Sequence, residues 1–511
     1  MSETNTVDNK RIAKNTFFLY IRMFFILALN LYISRAVLDV LGEVDFGIYN
    51  VVGGFVAMFG ILSNSMTAAT QRFLSYEIGK KENGNVKSVF STAVIIHIIF
   101  SIIVLVFAES VGLWFVENKL NYPDIRRTAV FWVYQFSVLT FIVGVLSVPY
   151  NAALIAFEKM KAFAYVGIIE VVLKLIVVIC LQYSLLDQLI LYSLLLALIA
   201  IAIRFIYSIY VKINIPACKC NYKINKEVRK KMVSFAGWNA IGSISNMLNN
   251  QGVNVLLNMF FGAAINAARG ISYQVMNALQ LFVMNFQLAM NPQIIKSFAS
   301  GNKKDAFNLA FRGSRFSFML LMIFVIPIIL EAPTILNLWL VKVPDLSIAF
   351  LRVILFTALI NSLGQTLSYL MHASGIVRNY QIVVGGSYVM AVPVVYLVFK
   401  LGGSPLSAMI IVLLFSQISQ FFQLIMLKKS INLPVKKFII TVWMKSLGLF
   451  LMAFLIPSLL HIYMPKSYLT FFVIVITSLF CACSVIYVWG ISIHEREYIN
   501  KYLKKIKNKI L

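Results

Sequence analysis

Ser234-Phe-Ala-Gly-Trp-Asn239-Ala-Ile-Gly-Ser243-Ile-Ser-Asn246-Met-Leu-Asn-Asn250-Gln-Gly-Val-Asn254-Val-Leu-Leu-Asn258-Met-Phe-Phe-Gly262 is the stretch that decides how the chain is read. It is apolar text with asparagine inside it. Asn239, Ser243, Asn246, Asn250 and Asn254 follow at steps of four, three, four and four, so they share one helix face, with Asn258 at its edge. After a short turn at 261–264 a second stripe begins: Tyr273, Asn277, Gln280, Met284, Gln287 and Asn291 repeat at steps of four and three. Arg269 lies between the stripes. Lipid offers no hydrogen bonds, so polar stripes on membrane-length helices require a bundle interior or a wet cavity. The pair reads as one wall of a transport cavity. Asparagine and small residues also hold helices together without any ligand, and that reading starts from the same residues.

The rest of the chain sets the class. Its 511 residues are 60% hydrophobic and 13% charged; soluble proteins average ~45–50% apolar and ~25% charged. This is the composition of an all-α polytopic membrane protein. The apolar runs are too long, and alternate too little, for a membrane β-barrel. Residues 1–15 are hydrophilic and the next apolar stretch is span-length, so no cleavable signal peptide is expected. Fourteen segments are long enough to cross a bilayer: 16–38, 46–70, 89–108, 129–150, 163–183, 187–210, 233–260, 267–290, 310–332, 346–370, 380–400, 403–427, 437–461 and 467–491.

Charge tests the count. The net charge of +26 would suggest nucleic acid in a soluble protein, but the Lys and Arg residues lie in loops between spans. With the amino terminus inside, the inner segments carry 32 of the 45 Lys and Arg residues, the outer ones 6, and the spans 7. That bias predicts cytoplasmic termini and a cytoplasmic loop 211–232. No nucleic-acid partner is expected. Cys218 and Cys220 lie in that basic loop without a nearby histidine, and His97, His372, His461 and His494 are scattered, so no metal site and no cofactor are expected. There is no P-loop pattern, no large loop and no carboxylate cluster, so the chain reads as a transporter rather than an enzyme.

The sequence also repeats itself. Gln71, Ser75, Gly79 and Lys81 recur 222 residues later as Gln293, Ser297, Gly301 and Lys303, each set after the second span of its half. Six spans per half is an even number, which implies a pseudo-twofold axis along the membrane normal. The expected organisation is an N-lobe at 1–210, a basic linker at 211–232, a C-lobe at 233–427 and two extra spans with a basic tail at 428–511.

Fourteen spans in this arrangement resemble the polysaccharide transporters of the multidrug/oligosaccharidyl-lipid/polysaccharide superfamily, above all the Wzx-type O-antigen repeat-unit flippases of bacteria. The residues that carry the resemblance are Gln251 to Gly262, then Asn266-Ala-Ala-Arg-Gly-Ile-Ser-Tyr-Gln-Val, then Asn291-Pro-Gln-Ile-Ile-Lys-Ser. The resemblance implies two six-helix lobes around a central cavity, alternating access, and a polyprenyl-diphosphate-linked oligosaccharide as cargo in the bacterial cytoplasmic membrane. It implies glycan polymerase or ligase machinery as partners. Likeness to the lipid II flippase suggests a lipid-tail groove at the last two spans.

Several charges fall inside spans. Arg22 reads either as snorkelling to the interface or as a cavity cation for a diphosphate, which guanidinium binds bidentately. The resemblance makes Arg22 and Arg269 matching candidates on early helices of the two lobes. Arg35 and Asp39, four apart, read as a surface pair at the mouth or as part of the site. Glu170 and Lys174 read as a structural ion pair or as a gate. Lys445 reads as snorkelling or as meeting a lipid phosphate. The candidate cavity lining is Asn246, Asn250, Asn254, Tyr273, Asn277 and Gln280. Gly53–Gly54 and Gly385–Gly386 are expected to serve close packing. The competing function is an ion-coupled multidrug antiporter, which would need an intramembrane acid. The in-span charges are instead mostly basic.

Overall fold

The computed structural model describes residues 2–500, except 58, 120–121, 222–223, 341–342, 494 and 498–499. His494 and most of the basic tail lie outside the described residues. The principal helices are α1 (Ser2–Ala57, kinked at Gly42), α2 (Gly60–Gly79), α3 (Val86–Phe107), α4 (Arg127–Ala156), α5 (Met160–Gln182), α6 (Gln188–Asn214), α7 (Lys226–Phe261) and α8 (Ala263–Ala299). They continue as α9 (Lys303–Leu330), α10 (Ser347–Ser374), α11 (Arg378–Lys400), α12 (Pro405–Ile431), α13 (Val435–Tyr463) and α14 (Tyr468–Gly490).

Local chemistry sets the boundaries. Asn85 caps α3 by accepting from Ser88 N at 3.0 Å, and Asp187 caps α6 by accepting from Leu189 N and Ile190 N, both at 3.1 Å. Asn225 does the same for α7, accepting from Glu227 N and Val228 N. The α7–α8 hairpin turns at Gly262, whose φ of 82° suits a residue without Cβ.

Eleven of the described helical segments are long and apolar enough to cross a membrane, which makes this a multi-pass membrane protein. The other three segments read as spans, 46–70, 233–260 and 267–290, are helical but do not reach that apolarity. The first is divided between the end of α1, where Val44–Val56 is a short apolar helix, and α2. The other two are α7 and α8, diluted by their own polar stripes.

The chain groups into two compact units. The first holds Met1–Ser243 and Leu288–Lys303; the second holds Ile244–Gln287 and Lys304–Leu511. Both α7 and α8 therefore contribute to both units, and residues 211–232 belong to the first. In the second, Val253, Leu257, Ala268, Phe350, Val395 and Met409 form a core joining α7, α8, α10, α11 and α12, with Phe261 edge-on to Phe399 at 4.9 Å.

The repeated motif has a structural role in the first unit. A Cβ on Gly79 would stand 2.6 Å from the Lys296 carbonyl oxygen and 2.8 Å from Ala299 Cβ. The C-terminal ends of α2 and α8 thus touch backbone to backbone, and glycine permits it. Gly53, Gly54 and Gly386 do not serve close packing: a Cβ at each would meet open space.

Candidate functional site

The second unit holds a partly open cavity of about 340 Å³ between α7, α8, α10, α11 and α12. Asn246, Asn250, Tyr273 and Gln280 line it. Asn250 Nδ2 donates to Asn246 Oδ1 at 2.8 Å, which ties two residues of the α7 stripe together. Asn249, one residue off the stripe, also lines the cavity and donates to the Tyr388 carbonyl.

The opposite wall is amide too. Gln420 Nε2 donates to Asn361 Oδ1 at 2.9 Å, and Gln417 Nε2 reaches the same oxygen at 3.2 Å. Gln423 Nε2 donates to Ser368 Oγ at 3.1 Å and to the Gly364 carbonyl at 3.2 Å. Gln287 Nε2 bridges Gln365 Oε1 and Ser317 Oγ. Tyr380, Val384 and Tyr388 enter from α11, which opens with a π-helical turn at Gln381–Gly385. The lining contains no acidic and no basic side chain. The Gln417 and Gln420 carbonyl oxygens are buried without a donor. An uncharged wall of amides, hydroxyls and phenols presents the donors and acceptors that hydroxyl groups match.

Arg269 flanks this cavity without lining it. It is 7% exposed. Nη1 donates to Asn254 Oδ1 at 3.2 Å, Nη2 donates to the Asn250 carbonyl at 3.2 Å, and the guanidinium lies 4.4 Å from the Tyr273 ring centre. It therefore fixes two stripe residues and one aromatic wall residue. Its Nε is buried without an acceptor. Asn254 serves Arg269 rather than the cavity lining, and Asn277 is exposed outside that lining.

The first unit gathers the other candidates. The Arg22 guanidinium stacks 4.5 Å over Phe163 and presses on Gly167, where any Cβ would collide with its Nε. Glu170 and Tyr207 are its electrostatic neighbours, and that Nε lacks an acceptor. Lys174 Nζ meets Glu170 Oε1 at 2.6 Å with both side chains about a third exposed, 34% and 36%. Arg22 and the Glu170–Lys174 pair thus share one locality built by α1, α5 and α6. Arg35 and Asp39 are far looser, 4.0 Å apart and 85% and 69% exposed, a geometry that contributes little. No group of residues with metal-binding geometry exists among the described residues. Burial pushes the Cys218 thiol up to about 12, so it stays protonated and inert.

Two charge clusters have no signal in sequence spacing. Glu158, its side chain 2% exposed, takes Arg11 Nε at 2.7 Å, Lys296 Nζ at 2.6 Å and Gln293 Nε2 at 3.2 Å. Arg126 grips Asp45 and Asp187 with two bonds each. The partners are separated by 61 to 138 residues where hydrogen bonds connect them. The far wall of the cavity did carry a signal: Asn361, Gln365 and Ser368, and Ser416, Gln420 and Gln423, each repeat at helical spacing.

The family model described as polysaccharide biosynthesis protein matches residues 12–284. No curated protein matches the chain. Among solved structures, the fold is similar to that of a multidrug resistance MATE family transporter of the MOP superfamily in an outward-facing conformation. The TM-score is 0.69 at 13% identity, over 81% of this chain and 94% of that one. It is similar to a MOP superfamily transporter from Pyrococcus furiosus, with a TM-score of 0.68 at 13% identity and the same coverage. A MATE structure in a straight conformation gives 0.65 at 14% identity, also over 81% and 94%. The chain therefore belongs to the polysaccharide biosynthesis protein family, and its fold is similar to that of MOP superfamily transporters.

Proposed function

We propose that the protein is a flippase that moves a polyprenyl-diphosphate-linked oligosaccharide across the bacterial cytoplasmic membrane by alternating access, supplying O-antigen-like or capsule-like polysaccharide synthesis. The observation that carries the reading is the cavity of the second unit. Its wall is amide, hydroxyl and phenol without a charge, which suits the many hydroxyls of a glycan. The charges that suit a diphosphate stand elsewhere: Arg22 in the first unit and Arg269 beside the amide wall, each with an Nε that lacks an acceptor. The family supports the pathway, and the fold supports alternating access. In this reading both termini and 211–232 face the cytoplasm, and the glycan polymerase or ligase receives the product.

The test is surface display of the glycan in a strain lacking its own repeat-unit flippase, with membrane levels of each variant checked. A charge-assisted hydrogen bond contributes ~1.5–3 kcal/mol, so losing one weakens cargo binding by about tenfold or more. Arg22→Ala with Arg269→Ala is expected to abolish display, and lysine at either position to restore only part of it. Asn250→Ala should be milder. Full display by the double alanine variant would overturn the diphosphate reading. Export of cationic drugs without glycan display would favour the multidrug antiporter instead.

A further inference from the structure

Away from the amide cavity, cationic side chains gather where α9, α13 and α14 meet in the second unit. Arg312 and Arg315 are three apart on α9. Phe438 at the start of α13 packs on Phe311 with ring centres 5.1 Å apart. At the end of α14, Gly490 lies so close to α9 that a Cβ would stand 2.7 Å from Met319 Sδ. These contacts bring the turn after α14 onto the arginines. Glu495 accepts from Arg312 Nε at 3.0 Å and Nη2 at 2.8 Å, and lies 3.7 Å from Arg315 Nη2. Lys445 of α13 is in electrostatic reach of both Arg315 and Glu495.

The charges do not balance among the described residues. Burial alone would raise the Glu495 carboxyl. The Ser492 hydrogen bonds and the charges of Arg312 and Arg315 outweigh burial and hold it below the usual carboxylate range, so it is ionised at neutral pH. Among the described residues, the Glu495 carboxylate is then in reach of three cations. Arg315 is the enclosed member, its side chain 15% exposed and its Nε buried without an acceptor. A lone snorkelling lysine reaches water and needs no such partner. Two guanidiniums on one carboxylate, a lysine in electrostatic reach and a buried donor without an acceptor suit an anion. The depth is also suitable, because Arg312 and Arg315 belong to a segment that the charge bias puts at the cytoplasmic face.

We propose that Arg312, Arg315 and Lys445 form a binding site for a phosphate group, supplied by an anionic lipid headgroup or by a free phosphate anion. The site is separate from the cargo cavity, and its test makes no use of transport. Purified full-length protein in detergent is examined by native mass spectrometry and thermal unfolding. The additions are phosphatidylglycerol, phosphatidylcholine or inorganic phosphate. Selective retention of phosphatidylglycerol over phosphatidylcholine, with a raised midpoint, identifies a lipid headgroup as the source. Stabilisation by inorganic phosphate without lipid selectivity identifies a free anion, and equally supports the site. Lys445→Gln leaves the Arg312–Glu495 bridge in place and should weaken either effect by about tenfold, the loss of one charge-assisted contact. Arg315→Gln should do the same. Glu495→Gln should strengthen anion binding, which a merely structural cluster would not show. Equal response of the wild type and Lys445→Gln to every addition would overturn the proposal, even if Arg315→Gln fails to fold.

Discussion

Glu158→Ala removes the carboxylate on which three side chains of the first unit converge, and its cost can be worked from the geometry. Arg11 is half exposed at 49%, so water replaces the carboxylate there and little is lost. Lys296 is 18% exposed and would lose its carboxylate partner. Breaking a buried pair from one side costs ~3–5 kcal/mol. Because Lys296 keeps some contact with water, a loss of ~2–4 kcal/mol is expected. The backbone adds a second effect. Glu158 has φ of 58°, a left-handed conformation that costs a residue with Cβ about 1 kcal/mol. Glu158→Gly should therefore be about 1 kcal/mol less harmful than Glu158→Ala. Lys296→Met isolates the other partner. The double variant removes both charges, so it should be milder than the sum of the singles by ~2 kcal/mol. The assay is denaturant or thermal unfolding of the purified protein in one detergent at one ionic strength. Additivity of the two changes within ~0.5 kcal/mol would refute the reasoning, because uncoupled residues add.

Glu170 faces Arg22 as well as Lys174, so exchanging the pair by Glu170→Lys with Lys174→Glu places an ammonium beside the guanidinium. The exchange should reduce glycan display more than Glu170→Gln with Lys174→Gln does, and wild-type display by the exchanged protein would remove the pair from any gate. Asn225→Cys should resist a membrane-impermeant maleimide added outside intact cells, and efficient labelling there would reverse the topology. Gly79→Val forces apart the ends of α2 and α8, where overpacking costs ~1–3 kcal/mol; an unchanged unfolding midpoint would mean that this contact is not maintained.

Much of the fold was legible because membrane helices write themselves in long apolar runs between basic loops. All fourteen expected segments lie on helix, yet apolarity alone supports eleven of them as spans. The shortfall has a physical source. In α7 and α8 the asparagine and glutamine stripes lower the apolar content of helices that are 36 and 37 residues long. The property that marks them as a cavity wall also removes them from a count based on hydrophobicity. The break between α1 and α2 left a different trace: an apolar run continued across a turn, and composition does not register a change of direction.

The site divides along the same line. Periodicity found Asn246, Asn250, Tyr273 and Gln280, because residues on one helix face are spaced by helix geometry. It could not find the partnership of Glu158 with Lys296, 138 residues apart, since nothing in local spacing encodes a tertiary ion pair. The two kinds of polar site also differ in what they leave unmet. Buried charges must be paired almost completely, and Glu158 is held by two cations and an amide. Buried amides cost less, so a network of them can retain open valences such as the Gln417 and Gln420 carbonyl oxygens. The uncharged wall of the amide cavity, rather than those buried oxygens, is what suits the hydroxyl-rich guest proposed for it.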